Sequence, residues 1–208
     1  MSPLTDRAAR RPRRSVLVAV VVLAALTPAA ATASTSSPTS AARRALSLSG
    51  ERLSLMRSVM ASKWQSRAPV EDRAQEQVVV GAARAAARER RLGEAGVAAV
   101  FEAEISTAKI VQLGWGRQWL LHGFPADEPA PNIAQIRARL ADLSPRIVDA
   151  LAGLDGLRCG RGAHGALRRD SRRIIRTRFV TNRARANLVD ALLKVHGATP
   201  CRRMDTSH

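Results

Sequence analysis

Residues Arg52 to Gln77, RLSLMRSVMASKWQSRAPVEDRAQEQ, carry the spacing from which the rest of the chain is read. Lys63 follows Arg52 by eleven residues. That is about three helical turns, so the two cations lie roughly 20° apart on one helix face. Pro69 ends or bends that helix, and Asp72 and Glu76 stand one turn apart on the next segment. If the two segments pack together, they present two cations and two carboxyl groups to one small volume.

Outward from this stretch the chain reads as helical. Ala, Leu, Arg, Glu and Gln dominate, Tyr is absent, and no alternating β-branched runs are bounded by turn signals. One helix is expected from about Ala42 to Gln65, a second from about Val70 to Arg91, and a third from about Glu94 to Leu121. Gly123, Pro125, Pro129 and Pro131 make the segment from His122 to Pro131 a loop. Asn132 can then cap a fourth helix running to about Leu154. Five glycines between Gly153 and Gly165 interrupt the next stretch. A last helix, bent or straight, is expected from about Ala166 to His196. Periodic apolar faces joined by short connections make an all-α helix bundle of about five to six helices.

The N-terminus reads differently. Arg7, Arg10, Arg11, Arg13 and Arg14 precede an unbroken apolar run from Val16 to Leu26, and Ala31-Thr32-Ala33 offers a small-residue cleavage site. This is the pattern of a cleavable secretory signal peptide over residues 1–33, with cleavage near Ala33. The rival is a retained membrane anchor, but a span needs about 20 apolar residues. A secreted or periplasmic location without a stable membrane anchor is therefore expected. Cleavage would remove five Arg and Asp6, lowering the net charge from +17 to +13. Residues 34–41 read as a flexible polar linker, leaving residues 42–208 as one helical domain long enough to bury a core.

Cys159 and Cys201 are the only cysteines. In an exported protein such a pair is expected to form a disulfide. On the chain-entropy view, closing that loop removes about 4 kcal/mol of unfolded-state entropy. Two free thiols are the alternative. Neither these cysteines nor the scattered histidines form a metal-ligand set.

The order of motifs resembles the all-helical, AroQ-class chorismate mutases, and in particular their secreted gamma subclass. In that family an Arg, a Lys eleven later, an Asp nine later, and an Arg-Glu pair three and four beyond the Asp line the pocket. The phrase SKWQSRAPVEDRAQEQVV is similar to the family's K-W-x-x-x-x-P-I-x-D-x-x-R-E, with Gln75 where Arg is usual. Val100 to Trp119, VFEAEISTAKIVQLGWGRQW, resembles the family's third helix. There a small polar residue and a Gln or Glu four later face the substrate; the positions fall on Ala108 and Gln112. Leu143-Ser144-Pro145-Arg146 resembles the place where the secreted subfamily supplies a further Arg from its own chain. The tail matches in kind, with a basic helix over 168–178, RRDSRRIIRTR, closed by Cys201. The similarity spans about Glu51 to Cys201.

The resemblance implies conversion of chorismate to prephenate by an intramolecular Claisen rearrangement, in a homodimer and without a cofactor. Such a catalyst folds a dianion and places donors on an ether oxygen that gathers charge in the transition state. Arg52 and Arg146 would hold carboxylates, and Lys63 and Gln112 would donate to the ether oxygen. Glu76 and the Asp72 region would receive the ring hydroxyl, with Gln75 and Ala108 completing the substrate-binding set. A Gln donates without needing a proton, whereas a Glu at position 112 would have to be neutral. Gln75 supplies no guanidinium fork and Ala108 no hydroxyl, so both weaken the pattern.

The same residues have plainer readings. Asp72 caps a helix with Gln75 at its third position, and Arg52 and Lys63 are two cations among many. A non-enzymatic alternative is a basic module whose Arg168, Arg169, Arg172, Arg173 and Arg176 face an anionic surface or ligand. Nucleic acid is not an expected partner, because aromatic interleaving and recognised motifs are lacking.

Overall fold

The computed structural model describes residues 37–129, 131–154 and 162–195, all within one compact unit, Thr35–His208. The expected signal peptide and both cysteines lie outside the described residues. Among the described residues seven helices follow in order: α1 Pro38–Ser54, α2 Met56–Ser66, α3 Arg73–Glu89, α4 Glu94–His122, α5 Ile133–Ala152, α6 Ala163–Ile174 and α7 Asn182–Leu192. No strand occurs among the described residues. The chain is all-α, as its composition and periodicity imply.

Three boundaries differ from the sequence reading, each for a local reason. Helix α1 starts at Pro38, inside the stretch read as a linker. The Ser37 hydroxyl accepts from the Ser40 amide at 3.2 Å, and Pro38 occupies a position where a missing N–H costs nothing. Ala41 is buried, so this part of the segment belongs to the domain. The single helix expected over 42–65 is interrupted at Leu55, where the Ser54 hydroxyl donates to the Glu51 carbonyl at 2.6 Å. Such back-bonding to a helical carbonyl bends helices. The last expected helix is split. The Arg185 side chain donates to the carbonyls of Ile175 (3.0 Å) and Val180 (2.7 Å), holding residues 175–180 out of helix, and Thr181 caps α7.

Other boundaries follow their signals. Helix α2 ends on Arg67 at φ 55, just before Pro69. Asp72 caps α3 by accepting from the Gln75 amide at 3.1 Å, and Asn132 caps α5 by accepting from the Gln135 amide at 3.0 Å. Pro145 lies inside α5.

Helix α4, 29 residues and so about 44 Å long, is the central element. It packs against α1, α2, α3 and α7, while α5 lies along α1 and touches α2 and α3. The core is built from Leu46, Leu53, Phe101, Leu143, Ile147 and Leu188, all at most 1% exposed. The first turn of α4 closely approaches the backbone just after α7 at Gly96, where a Cβ would lie 2.8 Å from the Lys194 carbonyl oxygen. Backbone cannot swing aside as a side chain can. Gly96→Ala is therefore expected to destabilise the fold by about 1–3 kcal/mol, read as a lowered urea midpoint.

Candidate active site

The residues picked out by spacing divide into two groups around α4. The first is a charged cluster where α2, α3 and α4 meet. Lys63, in the last turn of α2, donates from Nζ to the Val70 carbonyl at 2.7 Å. Burial pushes its ammonium below the usual lysine range, while Asp72 and Glu76 oppose that shift and Lys109 adds to it. Glu76 in turn pairs with Lys109 at 2.8 Å, and Lys109 also reaches Glu71 at 3.5 Å. The pairing with Glu76 holds Lys109 above the usual lysine range. The structure thus brings Lys63, Asp72 and Glu76 together and adds Lys109, which the sequence reading missed.

The second group is buried. Arg52 is 8% exposed and ties three helices together. Its Nε lies 3.4 Å from Glu104 Oε2 of α4, and its Nη1 donates to Ser144 Oγ of α5 at 3.0 Å. The guanidinium carbon sits 5.9 Å from the Phe101 ring centre. Glu104 is 1% exposed, and its second oxygen is 2.5 Å from Ser49 Oγ. Burial pushes the Glu104 carboxyl up, against the opposing influences of Arg52 and Ser49. Two turns along α4 from Glu104, Gln112 is also buried. Its amide nitrogen contacts Met56 Sδ at 3.5 Å, and its Oε1 has no hydrogen-bond partner. Ala108 lies between them on the helix, half-buried against the core. Thr107, its neighbour, turns its hydroxyl back to the Ala103 carbonyl at 2.8 Å.

Two residues stand apart. Arg146 is exposed and pairs with Asp142 at 3.1 Å, one turn back on α5; the residue α5 sends to Arg52 is Ser144. Gln75 is exposed, and its described interaction is the bond its backbone N–H donates to Asp72, the N-cap half of a capping box. Arg73 pairs with Glu71 at 3.4 Å. Neither position supplies a guanidinium to the buried group.

An open groove of about 610 Å³ runs between α3 and α4, bordered by Glu76, Val80, Arg84, Ser106 and Lys109. It shares Glu76 and Lys109 with the charged cluster, whereas Arg52 and Gln112 lie on the inner side of α4. At the same end of α2 as Lys63, Trp64 meets Trp119 edge-on at 5.7 Å, and Trp119 lies 6.0 Å from Trp115. Arg57 covers Trp115 at 4.4 Å while its Nε donates to Glu128 at 3.0 Å. These rings wall the end of the bundle nearest Lys63. Among the described residues, no helix is long and apolar enough to cross a membrane and no group could hold a metal ion.

Of these added residues, Glu104 was legible in part. Glu104 falls on the stripe Val97, Phe101, Glu104, Ala108 and Val111, so periodicity alone puts a carboxylate in the core. Lys109 has no comparable signal, because its partners come from another helix.

Comparison with known proteins places the chain beside one group. It is 33% identical over 105 residues to the secreted chorismate mutase of Yersinia pestis; the match covers 50% of this chain and 56% of that relative. The crystal structure of the Yersinia pestis secreted chorismate mutase superposes with a TM-score of 0.65 at 27% identity, over 74% of this chain and 97% of the other. The fold is shared with the chorismate mutases of Burkholderia thailandensis (TM-score 0.66, 23% identity, 73% and 98% covered) and Burkholderia phymatum (0.67, 22%, 74% and 97%). No family model matches the chain.

Proposed function

We propose that this chain, a homologue of the secreted chorismate mutases that shares the chorismate mutase fold, converts chorismate to prephenate. The observation that carries the reading is the sequence and structural likeness to the Yersinia pestis enzyme, joined to an Arg, a Lys and a Gln offered from α1, α2 and α4. The likeness favours an enzyme over the basic binding module.

The rearrangement breaks one C–O bond and forms one C–C bond within a single molecule, so no side chain need carry a proton or form a bond. What it requires is a rigid set of cationic and neutral donors that fit the folded, charge-separated transition state better than the extended substrate. Arg52 would hold a carboxylate through the Nη2 edge, since Nε and Nη1 are engaged by Glu104 and Ser144. Lys63 would donate to the ether oxygen, exchanging part of its bond to the Val70 carbonyl for the substrate. Gln112 would be the neutral second donor, already desolvated. Glu76 and the Asp72 region would receive the ring hydroxyl. Gln75 is exposed and Arg146 is paired outward with Asp142, so each would have to turn toward the substrate to take the part the resemblance implies. Lys109 is the cation that the structure puts beside Glu76, and it is the better candidate for the second carboxylate.

Export through a signal peptide cleaved near Ala33, a Cys159–Cys201 disulfide and a homodimer belong to the same proposal; the secreted relative supports the first. The test is loss of chorismate absorbance with the protein lacking residues 1–33, beside Lys63→Ala. Turnover confined to the parent supports the reading. No turnover by folded, oxidised protein overturns it.

A further inference from the structure

We infer that Glu104 is a positioning residue for Arg52, fixing the guanidinium through its Nε edge and setting how much positive charge the site offers a carboxylate. The inference rests on the mutase reading and deepens it. The geometry is specific. Arg52 spans three helices, with Glu104 Oε2 at 3.4 Å, Ser144 Oγ at 3.0 Å and the Leu140 carbonyl at 3.5 Å. Among the described residues its Nη2 makes no hydrogen bond, so one edge stays available while the other two are held. Glu104 is itself anchored by Ser49, one turn before Arg52 on α1. Its Oε2 has no hydrogen-bond partner within the usual limits, although the guanidinium is close.

The consequence is electrostatic. An ionised Glu104 compensates Arg52 inside the core and leaves little net charge for a dianionic substrate. A neutral Glu104 leaves the guanidinium uncompensated yet still positioned. Binding of an anion at Arg52 and protonation of Glu104 therefore favour each other. Burial pushes the carboxyl up, so that exchange lies at higher pH than for an exposed carboxyl. Arg52 of α1 is the charged group within ion-pair distance of Glu104 among the described residues, and Ser49 of α1 is its hydrogen-bonding neighbour. From α2, α3 and α7 no described charged side chain pairs with it.

The test compares parent, Glu104→Gln and Ser49→Ala for KM and kcat across pH, with folding checked by circular dichroism. In the parent, KM is expected to rise as pH climbs through the Glu104 titration, approaching about tenfold per pH unit, with kcat changing much less. Glu104→Gln should abolish that limb, leaving KM independent of pH. Ser49→Ala removes a donor to the ionised form, so the limb should move to higher pH. Superimposable profiles in all three overturn the inference. A readout independent of turnover is the NMR resonance of the Arg52 Nε–H, assigned by its loss in Arg52→Lys. It should shift with pH in the parent and hold still in Glu104→Gln; a resonance that ignores both pH and the substitution also overturns the inference. If the parent lacks mutase activity but the resonance titrates as described, the function reading fails and the positioning of Arg52 stands.

Discussion

Replacement of Lys63 by Ala is expected to lower kcat for chorismate by roughly 10²–10³-fold, with a smaller change in KM. The magnitude follows from what one preorganised donor is worth where charge develops. Lys63 is suited to that task because its position is already determined. Its Nζ is fixed at 2.7 Å on the Val70 carbonyl, and Asp72 and Glu76 act on it from the neighbouring segment. Ether charge appears only as the bond breaks, so the loss should fall on kcat. The lowered lysine pKa adds a signature: parent activity should decline on the alkaline side earlier than an ordinary lysine would allow, as the ammonium loses its proton. Initial rates from chorismate absorbance across pH check both. An unchanged kcat in the Ala variant would remove Lys63 from the site.

Arg52→Met is expected to cost about 3–5 kcal/mol of folding stability at neutral pH, because it strands Glu104 in the core without its cation. The sign of the pH dependence is determined by the same carboxyl. Its folded pKa lies above the unfolded value, so the folded state holds the proton more tightly and stability falls as pH rises between the two. Removing the opposing influence of Arg52 raises the folded value further and extends that fall to higher pH. Urea unfolding of Arg52→Met should therefore show a deficit that shrinks as pH is lowered. Adding Glu104→Gln should recover much of the loss, because the buried charge is gone. A deficit independent of pH, or a double variant no better than the single, would mean that the ion pair contributes little.

The helical class, the loop between α4 and α5, and the caps at Asp72 and Asn132 were open to reading because each depends on neighbours in sequence. The division of the last helix was not. Ile174 and Ile175 continue an apolar pattern, and the break comes from Arg185 reaching back across space to two carbonyls. The site shows the same division. Helical spacing brought Lys63, Asp72 and Glu76 together across one short turn and led to Arg52 in the interior, while the resemblance led to Gln112, also buried. The resemblance also led to Arg146, which the structure does not bring to that buried group, and α5's own periodicity gives the reason. Leu143, Ile147 and Leu151 mark the buried face, and Arg146 points roughly 100° away from its middle. Lys109 was silent in the sequence because only the packing of α3 on α4 gives it Glu76.

The clustering of Trp64, Trp115 and Trp119 has a spectroscopic consequence. The chain contains three Trp and no Tyr, so its near-ultraviolet emission arises wholly from the corner where α2 meets the end of α4. Intrinsic fluorescence is then a single-site probe beside Lys63, unmixed with signal from elsewhere. A ligand seated next to α2 should alter its intensity, while loosening confined to α6 would leave the emission dark to the event.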